Sequence, residues 1–273
     1  MWVDLIKPRL HLNNFVTMPI ITLTSDWGSR DYHTAALKGA LLSAIPEARI
    51  VDVSHDIARH NIQQAAFIFR NALRFFPTGT MHLIALQSHT GSPPGNLCLK
   101  KDSQMFMGLN DGFFSLVFDD DPIDMVEVPR AGDEPVQSIP MMVRCAVHLL
   151  NGKNVYELGS RPEQFIRRGA FKPSFTDELI RGVVVYIDQF GNIVTNISRD
   201  LFEKQRAGRR FEIIIRKTTN SLETIRLDYS EVDQGDVLAL FNEAGFLEIA
   251  INQGNAHDLL YLRLNDHIRV EFK

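Results

Sequence analysis

Two carboxylates, Asp26 and Asp31, stand in the turn of one stretch, Ile20 to Gly39 (IITLTSDWGSRDYHTAALKG). The stretch opens as a β-branched apolar run, turns through Ser25-Asp26-Trp27-Gly28, and reads as a helix after Asp31. Acids at the C-terminal end of a parallel strand can accept hydrogen bonds from vicinal hydroxyls or from an amine. Asp26, ahead of Trp27-Gly28, reads as a ligand contact. Asp31 reads equally well as a ligand contact or as a cap of the helix beginning at Tyr32.

A second constellation is Ile187-Asp188-Gln189-Phe190-Gly191-Asn192. It offers an acceptor, a stacking face and an amide that both donates and accepts, a set suited to an amine plus a heteroaromatic base. A type I′ hairpin turn at Gly191-Asn192 explains the same residues by spacing alone. The loop Gln87 to Ser92, with His89, Thr90 and Ser92, follows a strand and is placed to meet a reacting centre, or is simply a solvated loop. For His55-Asp56, after the second strand, a surface or capping role is expected.

The elements that must carry these residues follow from periodicity. Pro19–Thr24, Ala48–Val53 and Met81–Leu86 read as strands; Tyr32–Ile45 and Asn61–Phe76 read as helices, with Asn61 as an N-cap. This β-α-β-α-β order predicts a parallel, helix-covered sheet. Leu97–Lys100 and Met105–Gly108 read as a hairpin. Phe113–Phe118 is an apolar segment, Met125–Val128 a short strand and Met141–Leu150 a helix. Arg161–Thr176 carries two prolines and reads as a linker. Beyond it, short strands at 182–187, 211–215, 224–227, 237–241, 246–251 and 268–272 predict a small β-barrel or sandwich. The expected fold is therefore an α/β N-terminal domain plus an all-β, barrel-like C-terminal domain, divided as 18–160, linker 161–177, and 178–273.

Composition narrows the function. At 273 residues, 45% hydrophobic and 23% charged, the chain is an ordinary globular one. A net charge of −4 gives no basic footprint for nucleic acid, and clusters such as Arg167-Arg168 and Arg209-Arg210 read as solvated surface. No apolar run is long enough to span a membrane. The first 17 residues lack the pattern of a signal peptide and are expected to be an extension or a misassigned start before Met18; a cytoplasmic protein is expected. Cys98 and Cys145 read as reduced, buried thiols, and no spacing suggests a metal. GxSxG, HExxH, P-loop and GxGxxG motifs are absent.

Six blocks in order resemble one family: TSDWGSRD, LKGALLSAIPEARIVDVSHDI, FFPTGTMHLI, GLNDGFFSLVF, IDQFGNIVTNI and GFLEIAINQGNA. They look like the S-adenosyl-L-methionine (SAM) hydroxide adenosyltransferases, a family that includes fluorinases and chlorinases. The resemblance runs from about Ile20 to the C-terminus. It implies a homotrimer with SAM bound between the N-domain of one subunit and the C-domain of the next, and substitution at C5′ of SAM with methionine leaving. SAM is then the substrate, with no further cofactor. The resemblance implies that Asp26 binds the ribose hydroxyls, Asp31 and Asp188 the methionine amine, Phe190 the adenine face and Asn192 its edge. His60 falls where fluorinases carry a tryptophan near the adenosine.

The chain departs from the family at the nucleophile. Water-using members carry an Asp, an Arg and a His where Gln87, Pro94 and Gln137 stand here. A glutamine takes no proton from water at neutral pH. Thr90 and Ser138 fall where the fluorinase keeps two hydroxyls at its halide pocket. Gln87, Thr90 and Ser138 are thus the residues expected to position the nucleophile. The Ser-Arg pair of the fluorinase is Glu243-Ala244 here, so that arginine clamp is missing. Hydrolysis of SAM to adenosine and methionine leads; a silent SAM- or adenosine-binding protein and a halide-dependent C5′ transferase are the alternatives.

Overall fold

The computed structural model describes residues 18–87, 94–133, 135, 137–169, 172–215 and 221–273. Its first sheet contains β1 (Ile20–Ser25), β2 (Arg49–Ser54), β3 (Met81–Ala85), β4 (Asn96–Lys101), β5 (Gln104–Leu109) and β6 (Asp124–Val128). Strand order is β2-β1-β3-β5-β4-β6. The β1–β2, β1–β3 and β3–β5 pairs are parallel; β4 pairs antiparallel with β5 and β6. The expected hairpin is the β4–β5 pair.

Among the described residues, the α-helices that cover this sheet are α1 (His33–Ala44), α2 (Ile62–Leu73), α3 (Phe113–Val117) and α4 (Ile139–Leu150). One apolar core joins Leu37, Leu41, Met141 and Cys145 to β1 and β3; the other joins Ala65, Phe69, Phe113 and Phe114 to β3, β4 and β5. β1 and β3 are buried along nearly their whole length, as strands covered on both faces must be. Asn61 caps α2 as expected, its Oδ1 accepting the Gln64 N–H at 2.9 Å.

The C-terminal half holds β7 (Ser174–Phe175), β8 (Leu179–Ile187), β9 (Ile193–Ser198), α5 (Arg199–Arg206), β10 (Phe211–Ile215), β11 (Ser221–Leu222), β12 (Ile225–Arg226), β13 (Val237–Phe241), β14 (Phe246–Ile251), α6 (Ala256–Leu260) and β15 (His267–Phe272). The sheet runs β11-β10-β15-β8-β9-β14-β13-β12, with β7 on β8, and curls around a core that includes Val184, Ile197, Phe202 and Ile249. The two-domain, α/β plus barrel-like fold agrees with expectation.

Several elements escaped the periodic reading, among them the short β7, β11 and α6, and also β9 and α5. β9 lies directly after the Gly-Asn turn, and its polar Thr195 and Asn196 break the apolar run. α5 buries only Phe202, so it has no apolar stripe to detect. The halves meet along α2: Phe67 stacks on Tyr186 at 5.1 Å and lies against Phe246 at 5.8 Å, while Arg74 donates to the Glu243 carbonyl. Among the described residues no helix is long and apolar enough to cross a membrane.

Candidate functional site

Asp26 begins the turn after β1 and is 7% exposed. The neighbouring parallel strand places Ala85 beside Ser25, so Gln87 arrives next to Asp26. The Gln87 N–H donates to both Asp26 oxygens, at 3.2 and 3.1 Å. A carboxylate has about four acceptor positions, so one shared donor leaves room for two vicinal hydroxyls. His60, just ahead of the α2 cap, closes the group: its Nδ1 lies 3.2 Å from the Gln87 carbonyl oxygen. His60 holds φ of +63°, a left-handed conformation unusual for a side-chain-bearing residue. Asp26, His60 and Gln87 thus converge at the C-terminal edge of the parallel strands.

Asp31 is exposed, and it does not cap α1. The N-cap is Tyr32, without a side-chain cap bond. The capping explanation therefore falls away. Trp27 and Tyr32 border this turn, with ring centroids 5.8 and 4.3 Å from that of His33.

The other constellation lies at the β8–β9 turn. The Gly191 N–H donates to the Asp188 carbonyl at 3.0 Å, and Gly191 sits at φ +81°. The hairpin bend therefore spans Asp188–Gly191 rather than centring on Gly191-Asn192. A Cβ on Gly191 would lie 2.1 Å from Asn255 Oδ1. The Asp188 carboxylate organises the bend: Oδ1 accepts from the Phe190 and Asn192 N–H groups, and Oδ2 accepts from Asn192 Nδ2 at 3.0 Å. The Phe190 ring is left 68% exposed, while Asn192 is buried.

Sequence reasoning missed a neighbour of this turn, Glu248 on β14. It is 4% exposed and accepts from Tyr229 OH at 2.7 Å and Asn242 Nδ2 at 3.1 Å. Burial, reinforced by the Asp188 charge, pushes its carboxyl above the usual range. The surroundings of Asp188 are therefore acidic. Position 248 falls inside the GFLEIA block, and an acid in an otherwise apolar strand was the available signal.

The residues expected from the sequence to position the nucleophile are only partly visible. Thr90 lies outside the described residues, as do His89 and Ser92. The Gln87 side chain is exposed at the strand end. Ser138 is the N-cap of α4, its Oγ accepting the Met141 N–H at 3.2 Å. Gln137 is committed to the scaffold: its Nε2 donates to the Ile84 carbonyl at 2.6 Å, and its N–H donates to Asn96 Oδ1. That pair of bonds ties the start of α4 to β3 and β4. Glu243-Ala244 form the bend between β13 and β14.

His55 departs from expectation. It neither caps nor lies on the surface; its side chain is 11% exposed and its Nδ1 is 2.6 Å from Ser25 Oγ. Among the described residues, the hydrogen bonds of Asp26 lie within the α/β half and those of Asp188 within the β half. A cavity of about 1000 Å³ between α2 and β8 is lined by Phe67, Arg70, Arg168 and Phe246 but by none of the candidate site residues.

Fold and site together define a two-domain protein with an acidic edge on its α/β sheet and an aromatic, acidic turn on its barrel. Residues 21–159 match the SAM hydroxide adenosyltransferase N-terminal domain, and residues 182–269 match the C-terminal domain of the same family. The chain belongs to the SAM hydroxide adenosyltransferase family. It is 27% identical over 271 residues to an (R)-S-adenosyl-L-methionine hydrolase of Methanocaldococcus jannaschii, covering 93% of this chain and 96% of that one. It is 27% identical to a fluorinase of an Actinoplanes species, covering 86% and 91%. Among solved structures, an uncharacterized conserved protein from Thermotoga maritima superposes with a TM-score of 0.80 at 25% identity, covering 92% of this chain and 99% of that one.

Proposed function

We propose that this protein binds SAM and cleaves it by nucleophilic substitution at C5′, with water as nucleophile, giving adenosine and L-methionine. The observation that carries this reading is the convergence of Asp26, Gln87 and His60 at the strand edge. Asp26 accepts from the ribose hydroxyls, and the His60 ring lies along the adenosine. Asp31 and Asp188 take the amine, in keeping with the acidic ground around Glu248. Phe190 stacks on adenine and Asn192 bonds its edge. The same reading divides the chain as 18–160, 161–177 and 178–273.

The chemistry asks little covalent work of the protein. The sulfonium makes methionine a good leaving group: the C5′–O bond forms as the C5′–S bond breaks, and the attacking water then loses its proton to solvent. The protein holds oxygen, C5′ and sulfur in line and limits the waters present. Gln87, Thr90 and Ser138 position that water. Ser138 does so from the N-terminus of α4, where the helix dipole favours the oxygen's partial negative charge. None of these side chains removes a proton from water early, so turnover is slow.

The ligand bridges two copies of the chain in a homotrimer, with Asp26, Asp31 and His60 from one and Asp188, Phe190 and Asn192 from another. The separate bonding of the two groups and the exposed rings of Phe190 and Tyr32 support this arrangement. The protein works in the cytoplasm.

Incubation with SAM yields adenosine and methionine in equal amounts. No product after long incubation at high protein concentration overturns the reading. A second reading, a silent SAM- or adenosine-binding protein, is favoured by one observation: the Gln137 amide is spent on the Ile84 carbonyl. Calorimetric binding of SAM without turnover selects it. A halide-dependent transferase is selected instead if chloride or fluoride yields a 5′-halogenated adenosine.

A further inference from the structure

We propose that His55 is a positioning residue for ligand binding, holding the Asp26 turn through Ser25 and Gly28 and anchored in turn by Asp52 and Lys38. The proposal rests on the reading of Asp26 as the ribose contact. Ser25 precedes Asp26 and is 2% exposed; its Oγ is 2.6 Å from His55 Nδ1. Gly28, two residues after Asp26, donates its N–H to the His55 carbonyl at 2.8 Å. One histidine therefore grips the turn on both sides of the carboxylate, once by its side chain and once by its backbone.

The far side of the ring is anchored too. His55 Nε2 lies 3.1 Å from Asp52 Oδ1, and Asp52 Oδ2 is 2.6 Å from Lys38 Nζ. The Trp27 N–H donates to Ser25 Oγ at 3.4 Å, which leaves the Ser25 hydroxyl proton available to Nδ1. In the tautomer that accepts it, Nε2 carries the proton on the Asp52 side, at ion-pair distance though without hydrogen-bond geometry, and the Lys38 ammonium offsets the Asp52 charge. Burial opposes its ionisation, but the bonds from Lys38 and His55 hold Asp52 below the usual carboxylate range. The chain of contacts links α1, β2 and the β1 turn.

Such support matters because the turn does not fix itself. Gly28 takes φ +73° with nothing within 4 Å of where a Cβ would stand, so no side chain packs on that side of the turn. A carboxylate rotated out of line loses the paired geometry that two vicinal hydroxyls require. His55 touches no ligand in this account; it acts through Asp26.

The test compares adenosine with 2′,3′-dideoxyadenosine, which lacks both hydroxyls, by calorimetry on the full chain. His55→Ala weakens adenosine about tenfold and leaves the dideoxy nucleoside unchanged. His55→Asn, whose amide oxygen can take the place of Nδ1 as acceptor, restores most of the loss. Ser25→Ala removes only the hydroxyl and shows the same selective effect, so it carries the test if His55→Ala fails to fold. Equal loss for both nucleosides marks a purely structural role and overturns the proposal, as does unchanged adenosine binding in both variants. If the unmodified protein binds neither adenosine nor SAM, the reading of the Asp26 site itself has failed.

Discussion

Acid should destabilise this protein through one histidine in its core. His82 on β3 is fully buried, stacked on Phe106 at 4.9 Å and edged by Phe69 and Phe76. Its Nδ1 pairs with Thr22 Oγ1 at 2.7 Å, while its Nε2 is buried with no hydrogen-bond partner. Burial pushes its pKa from 6.5 down to about 4, with a partial offset from the nearby Gln104 side chain. The folded ring stays neutral where the unfolded chain already takes up a proton. This contribution to stability is therefore complete above the unfolded value of 6.5 and falls as pH drops, levelling off below about 4. The full loss is about 3 kcal/mol, of which about 2 kcal/mol is gone by pH 5. Urea titrations at pH 7.5 and 5.0, at one protein concentration, measure it. His82→Asn keeps a partner for Thr22 and cannot titrate. It lowers stability at pH 7.5 by about 2 kcal/mol through lost ring volume. Its drop between the two pH values is smaller than that of the unmodified protein by about 2 kcal/mol. Equal drops in the two proteins would refute the reasoning, because the acid sensitivity would then belong to other groups.

Two further outcomes follow from the site geometry. Asp26→Asn keeps an oxygen for the Gln87 N–H but loses its charge; adenosine affinity measured by calorimetry falls about 10- to 100-fold, and unchanged affinity removes Asp26 from the ribose. Gly191→Ala meets both a φ of +81° and Asn255 Oδ1, which caps α6 through the Asp258 N–H. It costs about 2–3 kcal/mol in thermal or urea unfolding. Gly208→Ala, at a similar φ with nothing near its Cβ, costs only the backbone part, about 1 kcal/mol; equal losses for the two variants contradict the packing account.

Most of the scaffold was legible because hydrophobic period is local. ITLT, ARIVDV and MHLIAL read as strands without reference to anything distant, and Asn61 announced the start of α2. Asp26 could be placed at a strand end for the same reason. β9 and α5 were not legible, since the first mixes polar and apolar residues after a turn and the second buries a single ring. The family was legible from the order of six blocks spread over both halves, which no single motif would have supported.

By itself, then, the sequence determined most of the element types and the position of Asp26 at the end of a strand, and through the family resemblance it set the expectation that Gln87, Pro94 and Gln137 stand in place of water-activating residues. Tertiary structure alone decided which groups meet. It brought the Gln87 N–H to Asp26 across 61 positions and His55 to Ser25 across 30. It spent Gln137 on the β3 backbone, turned the Asp188 carboxylate inward on its own bend, and set Glu248 behind it. The physical reason is that periodicity records which face of an element is apolar. A hydrogen bond between side chains depends on strand order and register, and these are fixed only when the sheet has assembled. The Asp26 turn shows both levels: its acid is written in the chain, and its geometry is tied to a histidine 30 positions beyond Ser25 in sequence.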